Sequence, residues 1–168
     1  MMPITRVPPI TKAQLAMIDL DLQIACDEVN LPSEAQFTQW LTAALHDVKP
    51  NAEVTIRLVE TDESQSLNFE YRGKDKPTNV LSFEFDAPPM LDLNLLGDLV
   101  ICKSIIEQEA VEQEKSLNDH WAHMVIHGSL HLLGMDHIEP DQALEMESLE
   151  KKILATLAID DPYRDDIS

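Results

Sequence analysis

Residues 127–137 read HGSLHLLGMDH and gather three of the chain's six histidines and two of its four glycines. His127 and His131 stand four apart, so on a helix their rings leave one face a single turn apart. Two imidazoles at that spacing can reach one ion at about 2.0–2.1 Å each. His123 lies on the same stripe, but the two turns from His123 to His131 cover about 12 Å along the axis. Three rings so spread cannot meet on one ion, and the third ligand must come from beyond the helix. Gly134 falls where that helix should end, and glycine readily takes the left-handed conformation that reverses a chain there. His137, three residues later, can then fold back toward His127 and His131. Three neutral histidines leave one position open, which marks a catalytic zinc rather than a structural one. Zinc is the first candidate for imidazole ligands, at one Zn2+ per chain. A lone histidine is more often a hydrogen-bonded core residue or a solvated one; H-x3-H-x2-G-x2-H taken together argues for a metal. His123 is left to the core or to support of the site, and His46 and His120 receive no role. Cys26 and Cys102 lie far from the cluster in sequence, and nothing recommends them as ligands.

The same spacing occurs in the metzincin peptidases, H-E-x-x-H-x-x-G-x-x-H. This chain has Gly128 where they place the glutamate that activates water. Proteolysis is therefore disfavoured, while a metzincin-like local geometry is expected of the metal helix.

These residues need a scaffold. The 168 residues suffice for one domain with a real core. At 44% hydrophobic and 26% charged, the composition is that of an ordinary globular protein. No apolar run approaches the roughly 18 residues that span a bilayer, so no membrane association is expected. MMPITRVPPITK lacks an apolar stretch with a small-residue cleavage site, and two distant cysteines read as reduced thiols. A cytoplasmic address follows as the expectation. The net charge of -19 argues against gripping nucleic acid by electrostatics alone. It is compatible with a small cationic pocket or with a basic protein partner.

Residues 1–12 read as a Pro-rich flexible arm, 13–160 as a single domain, and 161–168 as an acidic C-terminal tail. Residues 18–24 alternate, with Ile18, Leu20, Leu22 and Ile24 on one side, as in a half-buried strand. Ser33 with Gln36 forms a capping-box pattern before a helix through Leu45. Val54 to Val59 alternates again, with Arg57 opposite Val54, Ile56 and Leu58. Asp62 is expected to cap a helix to about Tyr71. RGKDKPTN (72–79) follows as a polar loop with the densest basic cluster. Strands at 80–85 and 96–102, joined through Pro88-Pro89, precede helices at about 103–115, 117–133 and 141–158. The expected fold is α+β: about four strands in a mixed sheet against about five helices.

HGSLHLLGMDH resembles the H-G-x-L-H-L-x-G-Y-D-H signature of the YbeY family of bacterial endoribonucleases, also called rRNA maturation factors. VTIRLV (54–59), YRGKDKPTNVLSF (71–83) and LLGDLVIC (95–102) resemble its other blocks in the same order, so the likeness covers most of residues 15–160. Met135 stands where tyrosine is common. The resemblance implies His127, His131 and His137 as zinc ligands and Arg57 as a catalytic side chain of the cleft. It also implies metal-dependent cleavage of single-stranded RNA, in maturation of the small-subunit rRNA 3′ end and in ribosome quality control. Partners would be the small-subunit rRNA precursor and ribosomal proteins or a ribosome-assembly GTPase. The residues allow a role for Arg57: a fixed guanidinium binds phosphate bidentately, though a cross-strand ion pair uses the same fork. Asp136 could orient a liganding histidine or merely stabilise a turn. Thr78, Asn79 and Ser82 are candidates to line the substrate groove. From another class, a ribosome-assembly adaptor with a mainly structural zinc also fits the acidity.

Overall fold

The computed structural model of the chain describes residue 9 and residues 15–86, 93–136 and 138–163. Most of the Pro-rich arm, the Pro88-Pro89 loop, His137 and residues 164–168 lie outside them.

Period-two alternation produces the strands. β1 (Asp19–Ala25), β2 (Glu53–Val59), β3 (Val80–Glu84) and β4 (Leu95–Cys102) form one sheet in the order β1-β2-β4-β3. β1 and β4 run parallel to β2, while β3 runs antiparallel to β4 at the far edge. Five helices accompany them among the described residues: α1 (Glu34–Leu45), α2 (Thr61–Arg72), α3 (Lys103–Glu112), α4 (Leu117–Leu132) and α5 (Pro140–Thr156). The α+β reading, with four strands in a mixed sheet and five helices, is what the chain adopts.

Register decides what each face of the sheet carries. Ile56, Leu99 and Ser82 are aligned across β2, β4 and β3. Ile56 and Leu99 are fully buried in the main core with Phe37, Leu41, Trp121 and Leu130. The next row, Arg57, Val100 and Leu81, points to the opposite face. There Leu81, Val100 and Cys102 form a smaller cluster with Leu67 of α2. Phe37 meets Trp40 and Trp121 edge-on at 5.6 and 5.7 Å. Each such pair adds about 0.5–1.5 kcal/mol beyond its buried area, and the pair with Trp121 fastens α1 to α4.

The cap at Ser33 forms as expected: its Oγ accepts from the Gln36 amide, and Gln36 Oε1 accepts from the Ser33 amide at 2.9 Å. The cap at Asp62 does not. Glu60 holds the extended N-cap position of α2, without a side-chain cap, and its carboxylate accepts from the Asp27 amide instead. Asp62 sits in the first turn, where a carboxylate still complements the helix dipole. Ile24, expected on the buried side, is 44% exposed at the end of edge strand β1.

Gly128 is where α4 touches the sheet most closely. A Cβ there would lie 2.8 Å from Leu99 Cδ2, 3.2 Å from Val80 Cγ2 and 3.3 Å from Ser82 Oγ. The position that carries a catalytic glutamate in peptidases therefore faces packed strand atoms here, with no room for a side chain. Gly128→Ala should destabilise by about 1–3 kcal/mol through overpacking, read as a melting temperature lower by several degrees; an unchanged melting curve would refute the close approach.

Candidate metal centre and its groove

Two histidines of α4 meet head to head. The rings of His127 and His131 lie 4.7 Å apart, with their Nε2 atoms separated by 3.2 Å. Each ring uses its other nitrogen elsewhere. His127 Nδ1 hydrogen-bonds Glu150 Oε1, and His131 Nδ1 donates to the Met135 carbonyl at 3.0 Å. A carbonyl or an ionised carboxylate can only accept, so these partners assign both ring protons to Nδ1. Both Nε2 atoms then turn lone pairs toward one point. Two nitrogen ligands about 2.0–2.1 Å from a tetrahedral ion stand about 3.3 Å apart. The pair fits a metal.

The end of α4 is built to hold this arrangement. Gly134, at φ 95, follows the C-cap Leu133, its amide donates to His131 O, and the Met135 amide donates to Leu130 O. These are the two bonds of a Schellman ending. The reversal brings the Met135 carbonyl back over His131. Since that contact is made by backbone, methionine at 135 preserves it.

Glu150 is the largest surprise of the site. It falls on the apolar stripe of α5 between Met146 and Leu154, and it is fully buried. Its Oε1 engages His127; its Oε2 accepts from the Tyr163 hydroxyl and faces His123 Nε2 at 3.3 Å. Burial by itself would raise this carboxyl, but hydrogen bonds from His123 and His127 hold it at about 2. Burial pushes His123 below its ordinary value, which keeps that ring neutral. Glu150 thus remains an anion in the interior, fastened by three side chains, His123, His127 and Tyr163.

His123, His127 and Glu150 offer ligand atoms within 4.8 Å of one another, a group that could hold a metal ion. An ion among them would have to break the direct bond from His127 Nδ1 to Glu150. An ion at the Nε2 atoms leaves that bond intact and gains from it, because a carboxylate on the remote nitrogen raises ligand basicity.

His127 also separates two cavities of opposite sign. One, of about 460 Å³, is bordered by His127, His131 and Ser82, and by Arg72, Lys74 and Lys76. The other, about 790 Å³, is bordered by Glu109, Glu112, Glu114, Asp160 and Asp161, with Lys115 as its cation. Thr78, Asn79 and Ser82 all line the basic cavity. Ser64 Oγ fixes Thr78 by bonds to its amide and carbonyl, at 2.9 and 3.0 Å. Asn79 donates to Glu109, and Ser82 Oγ donates to Gly128 O at 3.2 Å.

Arg57 is not brought to the histidines. It projects from the sheet face away from α4. There its Nε and Nη2 donate to the two oxygens of Glu63 at 2.6 and 3.0 Å, and Nη1 donates to Gln23 at 3.2 Å. Asp136 is exposed beyond Met135, while Glu150 and the Met135 carbonyl hydrogen-bond the Nδ1 atoms of His127 and His131. His120, given no role, is buried against Glu109 at 2.9 Å. Glu150 and Tyr163 escape a reading by spacing because they join the site only through tertiary packing. The usable signal was a glutamate on an otherwise apolar helical stripe. Tyr163, assigned to the acidic tail, is instead tied to the site.

The sequence profile of the family described as "Endoribonuclease YbeY" matches residues 22–158. A relative from Pseudoalteromonas translucida (strain TAC 125), named Endoribonuclease YbeY, is 62% identical over 149 residues, spanning 89% of this chain and 98% of its own. The solution structure of TM1509 from Thermotoga maritima is similar at a TM-score of 0.52 and 25% identity, covering 90% of this chain and 99% of that one.

Glu150→Gln keeps the shape but removes the charge. It should weaken metal binding by about 10- to 100-fold, measured by competition with a chromogenic chelator. In metal-free protein, its stability deficit relative to wild type should be full above pH 4.5 and shrink as pH falls toward about 2. That sign follows because a depressed carboxyl stabilises only where the unfolded group is also ionised. A deficit constant with pH would refute a charge-based role.

Proposed function

The chain belongs to the YbeY family, and from that premise we propose that it is a metal-dependent endoribonuclease that cleaves single-stranded RNA. The observation that carries the metal reading is the convergence of His127 and His131 Nε2 at 3.2 Å, each with Nδ1 bonded away from that point. His137 is the proposed third ligand, and zinc the proposed ion.

Bound there, the ion would supply Lewis acidity toward a phosphoryl oxygen and toward water. The chain's own residues do the rest. Arg72, Lys74 and Lys76 meet phosphates in the basic cavity; Ser82 and Asn79 form its wall beside the histidines. Glu150 and the Met135 carbonyl keep the protons at Nδ1 of His127 and His131. Gly128 keeps α4 against the strands, so the histidines sit at the rim of β3.

Arg57, which the family resemblance makes functional, enters as a phosphate contact on the α2 face rather than as a neighbour of the ion. The fork now closed on Glu63 fits a phosphate equally well. The finer reading, action on the small-subunit rRNA precursor near its 3′ end and in ribosome quality control, rests on the resemblance. So does docking to a ribosomal protein or assembly GTPase. The net charge of -19 supports a basic partner, since complementary charge speeds and orients association.

The test is metal analysis with end-group mapping of cleaved RNA. Wild type should hold about one zinc per chain, and occupancy should fall on acidification, because a protonated imidazole cannot ligate the ion. His131→Ala should lose both zinc and cleavage; cleavage retained at the wild-type rate would end the metal reading. Arg57→Lys should keep zinc, lose less than about 1 kcal/mol of stability and lose most cleavage. Full cleavage with a lowered melting temperature would reassign Arg57 to the ion pair with Glu63.

A further inference from the structure

Five of the chain's eight aromatic side chains lie outside the main core, three of them in a row with Arg72 of the densest basic cluster. Tyr71 is 56% exposed at the end of α2, and Phe85 is 44% exposed just past β3. Between them lies Phe83, half-buried, its ring 5.2 Å from that of Tyr71 in an edge-on contact. The Phe85 amide still bonds Leu96 O, so the strand alternation carries Phe85 to the side of Phe83. Arg72 ties this row to the groove. Its Cζ stands 5.2 Å from the Phe83 ring centroid, while its Nη2 donates to Ser82 O at 2.8 Å on the open edge of β3. Lys74 and Lys76 follow in the exposed loop.

Cations beside exposed rings at an open edge match the chemistry of unpaired nucleic acid. Phosphates take the cations, and unstacked bases take the rings. A duplex offers no free base face, so rings of this kind discriminate against it. From this juxtaposition we propose that Tyr71, with Phe85, forms a stacking platform for nucleobases of a single RNA strand whose phosphates lie on Arg72, Lys74 and Lys76. The proposal rests on the endoribonuclease reading and names the subsite that gives it its single-strand preference. Arg72 holds the platform and the catalytic groove at a fixed offset, so the stacked base sets which phosphate reaches His127 and His131.

The test measures binding apart from cleavage. Metal-stripped full-length protein in chelator is titrated with three fluorescent RNAs: a single strand, the same strand with an abasic run, and a duplex. Wild type should prefer the intact single strand. Tyr71→Ala should weaken that strand by about 5- to 100-fold, bind the abasic strand as wild type does, and keep the salt slope. Tyr71→Trp should restore binding. Lys74→Ala should instead lower the salt slope by about one and weaken intact and abasic strands alike. Equal affinity of wild type for intact and abasic strands, or of Tyr71→Ala and wild type for the intact one, would overturn the platform. Cleavage by metal-loaded wild type, assayed beside these, separates the two readings: cutting without base discrimination removes the platform alone, and absence of cutting removes the endoribonuclease.

Discussion

A carboxylate with no solvent contact fixes the rest of this site. Glu150 is an anion in the core, and an unpaired buried charge is expensive enough that a protein either neutralises or pairs it. Here the hydrogen bonds come from α4 through His127 and His123, and from the C-terminal segment through Tyr163. None of these donors carries a full positive charge while the imidazoles are neutral. The far nitrogen of His127 is the one route by which a divalent cation can offset the Glu150 charge without entering the network. Carboxylate, imidazole and ion in that order would stabilise one another, and the hydrogen bonds through Glu150 already tie Tyr163 of the C-terminal segment to the histidines of α4.

That coupling needs α4 to be immovable, and its contact with the sheet provides this. Gly128 lets the helix backbone approach Leu99, Val80 and Ser82 to within ordinary packing distance, and Ser82 then hydrogen-bonds the Gly128 carbonyl. β3 is an edge strand, so the histidines look out over open backbone rather than over a neighbouring strand. Arg72 closes on that edge from α2. The absence of a side chain at 128 thus has a structural cause, and it leaves that position without the carboxylate that activates water in the peptidases.

Much of this was legible in the sequence, for a physical reason. Helical spacing of His127 and His131, the glycine ending at 134 and the Ser33–Gln36 cap are local, and local geometry follows from neighbouring residues. The four-stranded sheet was readable because alternation and turn residues are local too. What was not readable depends on which faces meet. Asp62 had the chemistry of a cap, but the chain entered the helix at Glu60, whose carboxylate was drawn to Asp27. Arg57 has the chemistry of a phosphate ligand, but its place was decided by strand register, which sets it in line with Val100 and Leu81 on the side of α2 and Glu63. Glu150 looked like one more acid in an acidic chain until packing buried it.

The acidity itself becomes less awkward once its distribution is considered. Arg72, Lys74 and Lys76 stand together at one cavity, while Glu109, Glu112, Glu114, Asp160 and Asp161 border the other, and His127 lies between. A phosphate backbone is attracted along the first and repelled from the second, so the field gives the strand a direction of approach as well as a place to bind. With so few cations to contribute, low non-specific affinity and a shallow salt dependence are expected. Selectivity must then come from contacts that do not scale with charge, which is the physical reason exposed aromatic rings beside a small basic groove matter more here than they would on a basic protein.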